Sequence, residues 1–234
     1  MCKALRVNKE EFLEKIMEYE QKDEATQEFA YRVCREHVEL AYSLYEKTRN
    51  KEKTVNMLTD AVWTFLFVWN QPFYKGKIYF SDLKEKILEN LEILYEFKEL
   101  ELENITIEEL IKQEKDIKRL FKDFLKATRV HKSTKGKQKR DVYSSVSAAK
   151  ALHLLAPSFF PLWDEKIAKE YKFDYSEKDP ADEYFKFCIA IKRITDQVKD
   201  VDGLNHLKTE KGLVKLIDEY NVVVCNWEKK KDSQ

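Results

Sequence analysis

Turn-forming residues are scarce in this chain, since only four glycines and four prolines occur among its 234 residues. So few turn residues exclude a β-sandwich, which needs a turn after each short strand. Charged residues make up 37% of the chain, and apolar residues recur at helical spacing. The sequence therefore predicts long α-helices with short connections. Its bias towards Lys, Glu and Ile is typical of proteins from hot environments.

A net charge and long apolar runs are also absent. The 43 basic and 43 acidic residues cancel, so any attraction to nucleic acid or to an anionic membrane must come from a local patch. The longest apolar run, Ala61–Trp69, is broken by Thr64. It is shorter than the roughly 20 residues of a membrane-spanning helix. We therefore expect no membrane partner.

Cysteine pairs and metal-binding patterns are missing. Cys2, Cys34, Cys188 and Cys225 form no CxxC motif, and no signal-peptide pattern precedes them. Free thiols in a reducing, cytoplasmic setting are the expected state. The four histidines lie far apart, and there is no glycine-rich phosphate loop. The sequence thus predicts neither a metal site nor a cofactor.

Apolar periodicity predicts an all-α chain of about nine helices. The helix that ends at Trp69 is apolar nearly all round and is expected to be central. Thr106 and Glu109 form a predicted capping box. No alternation of period two lasts beyond a few residues. We expect one all-α unit over residues 1–234 or, alternatively, an N-terminal lobe of residues 1–128 and a C-terminal lobe of residues 141–228.

A basic loop is predicted between these two stretches, at residues 129–140. Six of its twelve residues, RVHKSTKGKQKR, are Lys or Arg, and none is acidic. Each neutralised phosphate releases counterions, so the loop is a candidate contact to a nucleic-acid backbone. An exposed connector is the alternative. The run contains no aromatic residue, so backbone contact is expected instead of base stacking. The candidate contacts are Lys132, Lys135, Lys137, Lys139 and Arg140.

Aromatic and amide side chains cluster where the central helix ends, at Trp69, Asn70 and Tyr74. Such side chains are typical of a ligand pocket. They are more often part of a core corner in which the amide is hydrogen-bonded.

The most informative segment is Ser145–Tyr171, SVSAAKALHLLAPSFFPLWDEKIAKEY. Ser145 or Ser147 is expected to cap a helix over residues 148–155, whose N-terminus is a candidate phosphate site beside the basic loop. Asp164 is expected to cap the following helix.

This segment resembles the helix-hairpin-helix DNA glycosylase superfamily. In that superfamily a hairpin of the form Gly-Val-Gly-x-Lys-x-Ala opens a helix, and an aspartate follows an apolar run. Ser145–Ala151, SVSAAKA, is similar to the hairpin, and Pro161–Ile167, PLWDEKI, is similar to the segment around the aspartate. The resemblance implies an orthogonal multi-helix bundle that binds double-stranded DNA.

The same resemblance implies cleavage of the N-glycosidic bond of a damaged base. Lys150 would attack the sugar C1′, and Asp164 would assist cleavage. A flipped base would lie between aromatic walls, for which the candidates are Trp69, Tyr74, Phe160 and Trp163. His153 is a candidate for the same pocket, with a partly buried structural histidine as the alternative.

Two departures from the superfamily pattern motivate an alternative function. Ser145 and Ser147 stand where the hairpin has glycines, and an ungapped match places Ala149, not Lys150, at the lysine position. One residue on a helix is about 100° of rotation. The alternative is a catalytically inactive helical module that binds nucleic acid or protein, with Lys150 as a surface lysine and Asp164 as a plain N-cap.

Overall fold

The computed structural model describes residues 7–22, 25–132, 140–174 and 180–227. This part of the chain is mostly helical, which confirms the predicted all-α class. The helices are α1 (Lys9–Gln21), α2 (Ala25–Thr48), α3 (Lys51–Trp69), α4 (Phe80–Glu89), α5 (Leu91–Lys98), α6 (Ile107–Lys112), α7 (Glu114–Ala127), α8 (Ser145–Leu155), α9 (Glu165–Glu170), α10 (Pro180–Val198), α11 (Asn205–Lys211) and α12 (Leu213–Val222). The strands are β1 (Lys77–Ile78), β2 (Val130–Lys132) and β3 (Arg140–Val142).

The helix count is higher than expected, because single residues interrupt three of the predicted helices. The described ranges contain 12 α-helices. Asn90 separates α4 from α5, and its Nδ2 donates to the Lys86 carbonyl oxygen at 2.9 Å. Gln113 lies between α6 and α7. Gly212, with a φ of 82°, lies between α11 and α12. A side chain that hydrogen-bonds to the backbone, as at Asn90, can end a helix, and so can a left-handed φ, as at Gly212. Neither changes the spacing of the apolar residues, so the sequence pattern continues across the break.

The chain divides into two compact units, and neither is one consecutive stretch. We call them the terminal unit and the inserted unit. The described part of the terminal unit is residues 7–22, 100–119, 157–174 and 180–227, and that of the inserted unit is residues 25–99, 120–132 and 140–156. This division differs from two lobes at residues 1–128 and 141–228.

The inserted unit is built around α3, which packs against α2, α4 and α8. Val62, Trp63 and Phe65 of α3 are buried, which confirms the predicted central position. Phe67 is 36% exposed, so one side of the helix reaches solvent.

A small antiparallel sheet in the order β1-β2-β3 completes the inserted unit, although the sequence predicts no strand. Lys77 of β1 is the Cα partner of His131 in β2, and His131 is the partner of Asp141 in β3. Gly76 precedes β1, where a Cβ atom would lie 2.7 Å from the His131 carbonyl oxygen. Real Cβ atoms do not approach a backbone oxygen so closely, so glycine is required for this strand to reach its neighbour.

The terminal unit is built around α12, which packs against α1, α10 and α11. The rings of Phe12 in α1 and Tyr220 in α12 lie 5.2 Å apart. The predicted capping box is present at the start of α6: the Thr106 side chain accepts from the Glu109 backbone N–H, and the Glu109 side chain accepts from the Thr106 N–H.

The core of the terminal unit contains a buried charge cluster, formed by Glu20, Lys211, Lys215, Asp218 and Glu219, with Asp218 Oδ2 3.7 Å from Lys215 Nζ. The side chains of Lys215 and Glu219 are 0% exposed, and their Nζ and Oε1 atoms lie 3.1 Å apart. Lys211 Nζ also lies 3.1 Å from Glu219 Oε1, and it lies 2.5 Å from Glu20 Oε1. Because charges lose water on burial, this cluster is stable only while both signs are present.

Cys34, Cys188 and Cys225 are buried, and the thiols of Cys34 and Cys188 are free, as the sequence predicts, while Cys2 lies outside the described residues. Burial raises the pKa of the Cys34 thiol to about 11. Among the described residues, no helix combines the length and the apolar character needed to cross a bilayer.

Candidate nucleic-acid interface

Strands β2 and β3 pair with each other at the two ends of the predicted basic loop. We call residues 130–132 and 140–142 the basic hairpin. Lys132 and Arg140 are Cα partners at the ends of the two strands, so their side chains leave the sheet next to each other. The candidate contacts Lys135, Lys137 and Lys139 lie outside the described residues.

Arg129 fixes the base of the basic hairpin. Its Nε donates to Asp141 Oδ2 at 2.9 Å, and its Nη2 lies 2.8 Å from Asp82 Oδ2. The guanidinium also lies over the Tyr79 ring, 4.1 Å from the centroid. Arg129 thereby joins β3 to the segments before β2 and at the start of α4, so the strands are presented in a defined orientation.

His131 and Asp141 form a hydrogen-bonded pair on this sheet, with His131 Nδ1 and Asp141 Oδ1 2.9 Å apart. Tyr79 donates its hydroxyl to the same carboxylate oxygen at 3.1 Å. These hydrogen bonds, that from His131 above all, hold the pKa of Asp141 below its ordinary value. The sequence-based candidates did not include this pair.

Aromatic rings surround the basic hairpin, although the run itself contains none. Lys132 Nζ lies 4.9 Å from the centroid of the Phe73 ring, and Lys77 Nζ lies 5.9 Å from that of Tyr79. Tyr143, directly after β3, is 53% exposed. The rings come from the segment before α4 and from the end of the hairpin, so only strand pairing shows that they are neighbours of the basic residues.

Helix α8 begins three residues earlier than predicted, at Ser145 instead of residue 148. Ser144, not Ser145 or Ser147, is the N-cap: its backbone is extended, and its Oγ accepts from the Ser147 N–H at 3.2 Å. Ser145 and Ser147 lie in the first turn of the helix. Ser147 is 2% exposed and its hydroxyl lies against that of Tyr74, whereas Ser145 is partly exposed. Of the two, only Ser145 is positioned to meet a ligand from solvent.

The candidate pocket residues at the end of α3 are used in turn formation and packing. Asn70 Oδ1 accepts from the Phe73 N–H at 3.3 Å, which closes the turn after α3. Tyr74 is 3% exposed, and its ring packs edge-on against Trp63 at 5.4 Å. Burial raises the pKa of the Tyr74 hydroxyl. These contacts favour the core corner over the ligand pocket.

Lys150 and His153 of α8 each contact an aromatic side chain within the inserted unit. Lys150 Nζ lies over the Trp69 ring, 4.0 Å from its centroid, a distance at which the ring stabilises the ammonium group. His153 is 0% exposed, and its Nε2 lies 2.8 Å from the Tyr31 hydroxyl, with the two rings stacked. These contacts favour a structural histidine, the alternative to a pocket residue, at His153.

Asp164 and Trp163 belong to the terminal unit. Asp164 is the N-cap of α9, as predicted, and its Oδ1 accepts from the Ile167 N–H at 2.8 Å. Trp163 is 1% exposed and stacks on Tyr184 at 5.4 Å. Lys150 and Asp164 thus lie in different units, and their joint action stays a prediction.

Comparisons with models of known protein families, with characterised proteins and with solved structures gave no match.

Proposed function

We propose that the protein binds the phosphate backbone of nucleic acid through the basic hairpin. Duplex DNA is the first candidate ligand to test. The observation that supports this is the pairing of β2 with β3, which places Lys132 and Arg140, two of the six basic residues in the run 129–140, next to each other. Backbone phosphates are recognised by such charge without sequence preference.

The contacts at the base of the hairpin are consistent with this proposal. Asp82 and Asp141, the two acidic residues there, are each held by Arg129. Arg129 offsets one of their two negative charges, and Lys132 and Arg140 add two positive charges at the ends of the paired strands. A phosphate that approaches the hairpin meets cations at the ends of paired strands, which lose less conformational freedom on binding than a flexible loop would.

Salt dependence of duplex binding tests the proposal. The double variant Lys132→Gln/Arg140→Gln is expected to weaken binding and to flatten the slope of log K against log salt by about 2, since each phosphate contact contributes about 0.9. The matched control is Lys47→Gln/Lys53→Gln, which removes two exposed charges elsewhere in the same unit. Fluorescence anisotropy with a labelled duplex between about 50 and 200 mM salt measures both. Absent or salt-independent binding, or equal slopes for the two double variants, would contradict the proposal.

The finer proposal, from the resemblance, is cleavage of the N-glycosidic bond of a damaged base by Asp164 and Lys150. Borohydride trapping on duplexes that carry common lesions tests the lysine chemistry, with Lys150→Ala as the control. Asp164→Ser tests the carboxylate separately, because serine still caps α9 but offers no carboxylate. The expected result is an adduct that Lys150→Ala abolishes and cleavage that Asp164→Ser abolishes. An absence of adducts with every lesion, or adducts that persist in Lys150→Ala, would exclude this chemistry.

The second candidate is a non-catalytic helical module that binds nucleic acid. It is favoured by the structural roles of the same two residues: Asp164 caps a helix, and Lys150 lies over Trp69. Duplex binding through the basic hairpin without any trapped adduct is the outcome that would select this function over the glycosylase.

A further inference from the structure

Three polar side chains lie in one row across the outer face of the sheet. Lys77, His131 and Asp141 are consecutive Cα partners on β1, β2 and β3, and we call them the outer row. Partner residues on neighbouring strands point to the same face. The adjacent row contains Val130, which is 0% exposed and faces the core. Because side chains alternate along a strand, the outer row faces the opposite side, where His131 is 29% exposed.

Asp141 fixes which nitrogen of His131 carries the proton. The hydrogen bonds that lower its pKa keep Asp141 ionised, and an ionised carboxylate only accepts hydrogen bonds. His131 Nδ1 must therefore be the donor in the 2.9 Å contact. In the neutral ring this leaves the lone pair on Nε2, the nitrogen that can take a proton from a substrate.

Arg129 and Tyr79 hold the carboxylate of Asp141 in place. Arg129 Nε contacts Oδ2 at 2.9 Å, and the Tyr79 hydroxyl contacts Oδ1 at 3.1 Å. Asp82 anchors the other side of the Arg129 guanidinium at 2.8 Å. The orientation of His131 thus depends directly on Asp141, and through Asp141 on Arg129 and Tyr79. We therefore call Asp141, Arg129 and Tyr79 positioning residues.

We propose that the outer row is a catalytic site for metal-free cleavage of RNA, in which His131 is the general base. This inference depends on the proposed function, because a nucleic acid that binds to the basic hairpin would lie against the same strands that carry His131 and Asp141. RNA supplies its own nucleophile, the ribose 2′-hydroxyl, so the protein needs no reactive serine or cysteine. The cationic side chains on the same side as His131 are Lys77 on β1 and Arg129, which contacts the same carboxylate of Asp141.

The reaction is an intramolecular transesterification. His131 Nε2 takes the proton of the 2′-hydroxyl while the 2′-oxygen forms a bond to phosphorus. The bond from phosphorus to the 5′-oxygen breaks, and that oxygen leaves as an alcohol with a proton from the Lys77 ammonium. The products are a 2′,3′-cyclic phosphate and a free 5′-hydroxyl. The proton on His131 returns to Lys77 through solvent, so no oxidant, metal or co-reactant is consumed.

The test uses the full chain and a fluorescent DNA oligonucleotide that contains one ribonucleotide, in the presence of EDTA. We expect cleavage after the ribose, with a 2′,3′-cyclic phosphate identified by mass spectrometry. His131→Asn is expected to lower kcat by about 100-fold or more, the usual contribution of a general base, while its amide can still donate to Asp141. Asp141→Asn is expected to lower kcat and to change the pH profile. The matched control is His37→Asn, an exposed histidine of the same unit, which is expected to leave kcat unchanged.

Two further substrates separate the possible outcomes. An all-DNA oligonucleotide and one with a 2′-O-methyl group lack the nucleophile, so cleavage of either would overturn the proposed reaction. Equal activity of His131→Asn and the wild type would overturn it as well. RNA that binds in the anisotropy assay but is not cleaved would refute the catalytic site and leave the proposed function intact. A protein that neither binds nor cleaves any nucleic acid would refute both.

Discussion

Removal of the central carboxylate from the buried charge cluster is expected to destabilise the protein strongly. Glu219 Oε1 lies 3.1 Å from both Lys211 Nζ and Lys215 Nζ, and the side chains of Glu219 and Lys215 are 0% exposed. Glu219→Leu would leave two ammonium groups close together in the core. Breaking a buried ion pair from one side costs about 3–5 kcal/mol of unfolding free energy. For a chain of this size, this corresponds to a fall in Tm of about 6–20 °C.

Two comparison variants separate the effect of charge from that of volume and position. Lys215→Met/Glu219→Leu removes one cation and one anion, and Lys211 keeps Glu20 at 2.5 Å. Its unfolding free energy is expected to lie within about 1 kcal/mol of the wild type. Glu165 and Lys169 have the same spacing of four residues and a 2.6 Å contact, but they are 53% and 62% exposed. Glu165→Leu is therefore expected to cost less than about 1 kcal/mol.

Urea unfolding, followed by far-UV circular dichroism and by tryptophan fluorescence, measures the three unfolding free energies. If Glu219→Leu costs no more than Glu165→Leu, burial does not set the strength of the charge cluster. If the double variant is as unstable as Glu219→Leu, the loss comes from packing and not from an uncompensated charge.

Two further predictions concern the small sheet. Since the folded-state pKa of Asp141 is lowered, the stability it contributes is present above the unfolded carboxyl pKa and is lost as the pH falls through the folded value. Hydrogen-exchange protection of β2 and β3, corrected for intrinsic exchange rates, should fall as the pH is lowered. Asp141→Asn should remove that pH dependence. Protection in the wild type that stays unchanged down to the lowest pH would contradict this prediction. Gly76→Ala would place a Cβ atom 2.7 Å from a backbone oxygen, so it is expected to lower the free energy of unfolding by about 1–3 kcal/mol. The control Lys75→Ala, at an exposed position, should change the free energy of unfolding little. Urea unfolding measures both, and equal stability of the two variants would show that β1 can shift without cost.

Local signals in the sequence predict much of the helical structure. The capping box at Thr106 and the cap at Asp164 are confirmed, because a cap needs only residues within one turn. Helix breaks at Asn90 and Gly212 were missed, since apolar spacing continues across them. The two units could not be predicted either, because each joins segments that are far apart in the sequence.

The candidate interface was only half visible in the sequence. The density of basic residues alone points to Lys132 and Arg140. The pairing of β1 with β2 could not be predicted, because these strands are too short to show an alternating pattern of apolar and polar residues. One available signal was overlooked: His131 and Asp141 are equidistant from Gly136 in the sequence, as partners in a hairpin centred on that glycine would be. The contribution of Lys77 has no such local signal.

The non-consecutive terminal unit has a consequence for synthesis on the ribosome. Helix α1 leaves the ribosome before α12, yet Phe12 of α1 packs against Tyr220 of α12, which is made about 200 residues later. At 5–20 residues per second, the apolar face of α1 waits about 10–40 s for that partner. The inserted unit is complete well before then. In a growing chain, α1 is thus the segment most in need of a chaperone, and its burial marks the completion of the terminal unit.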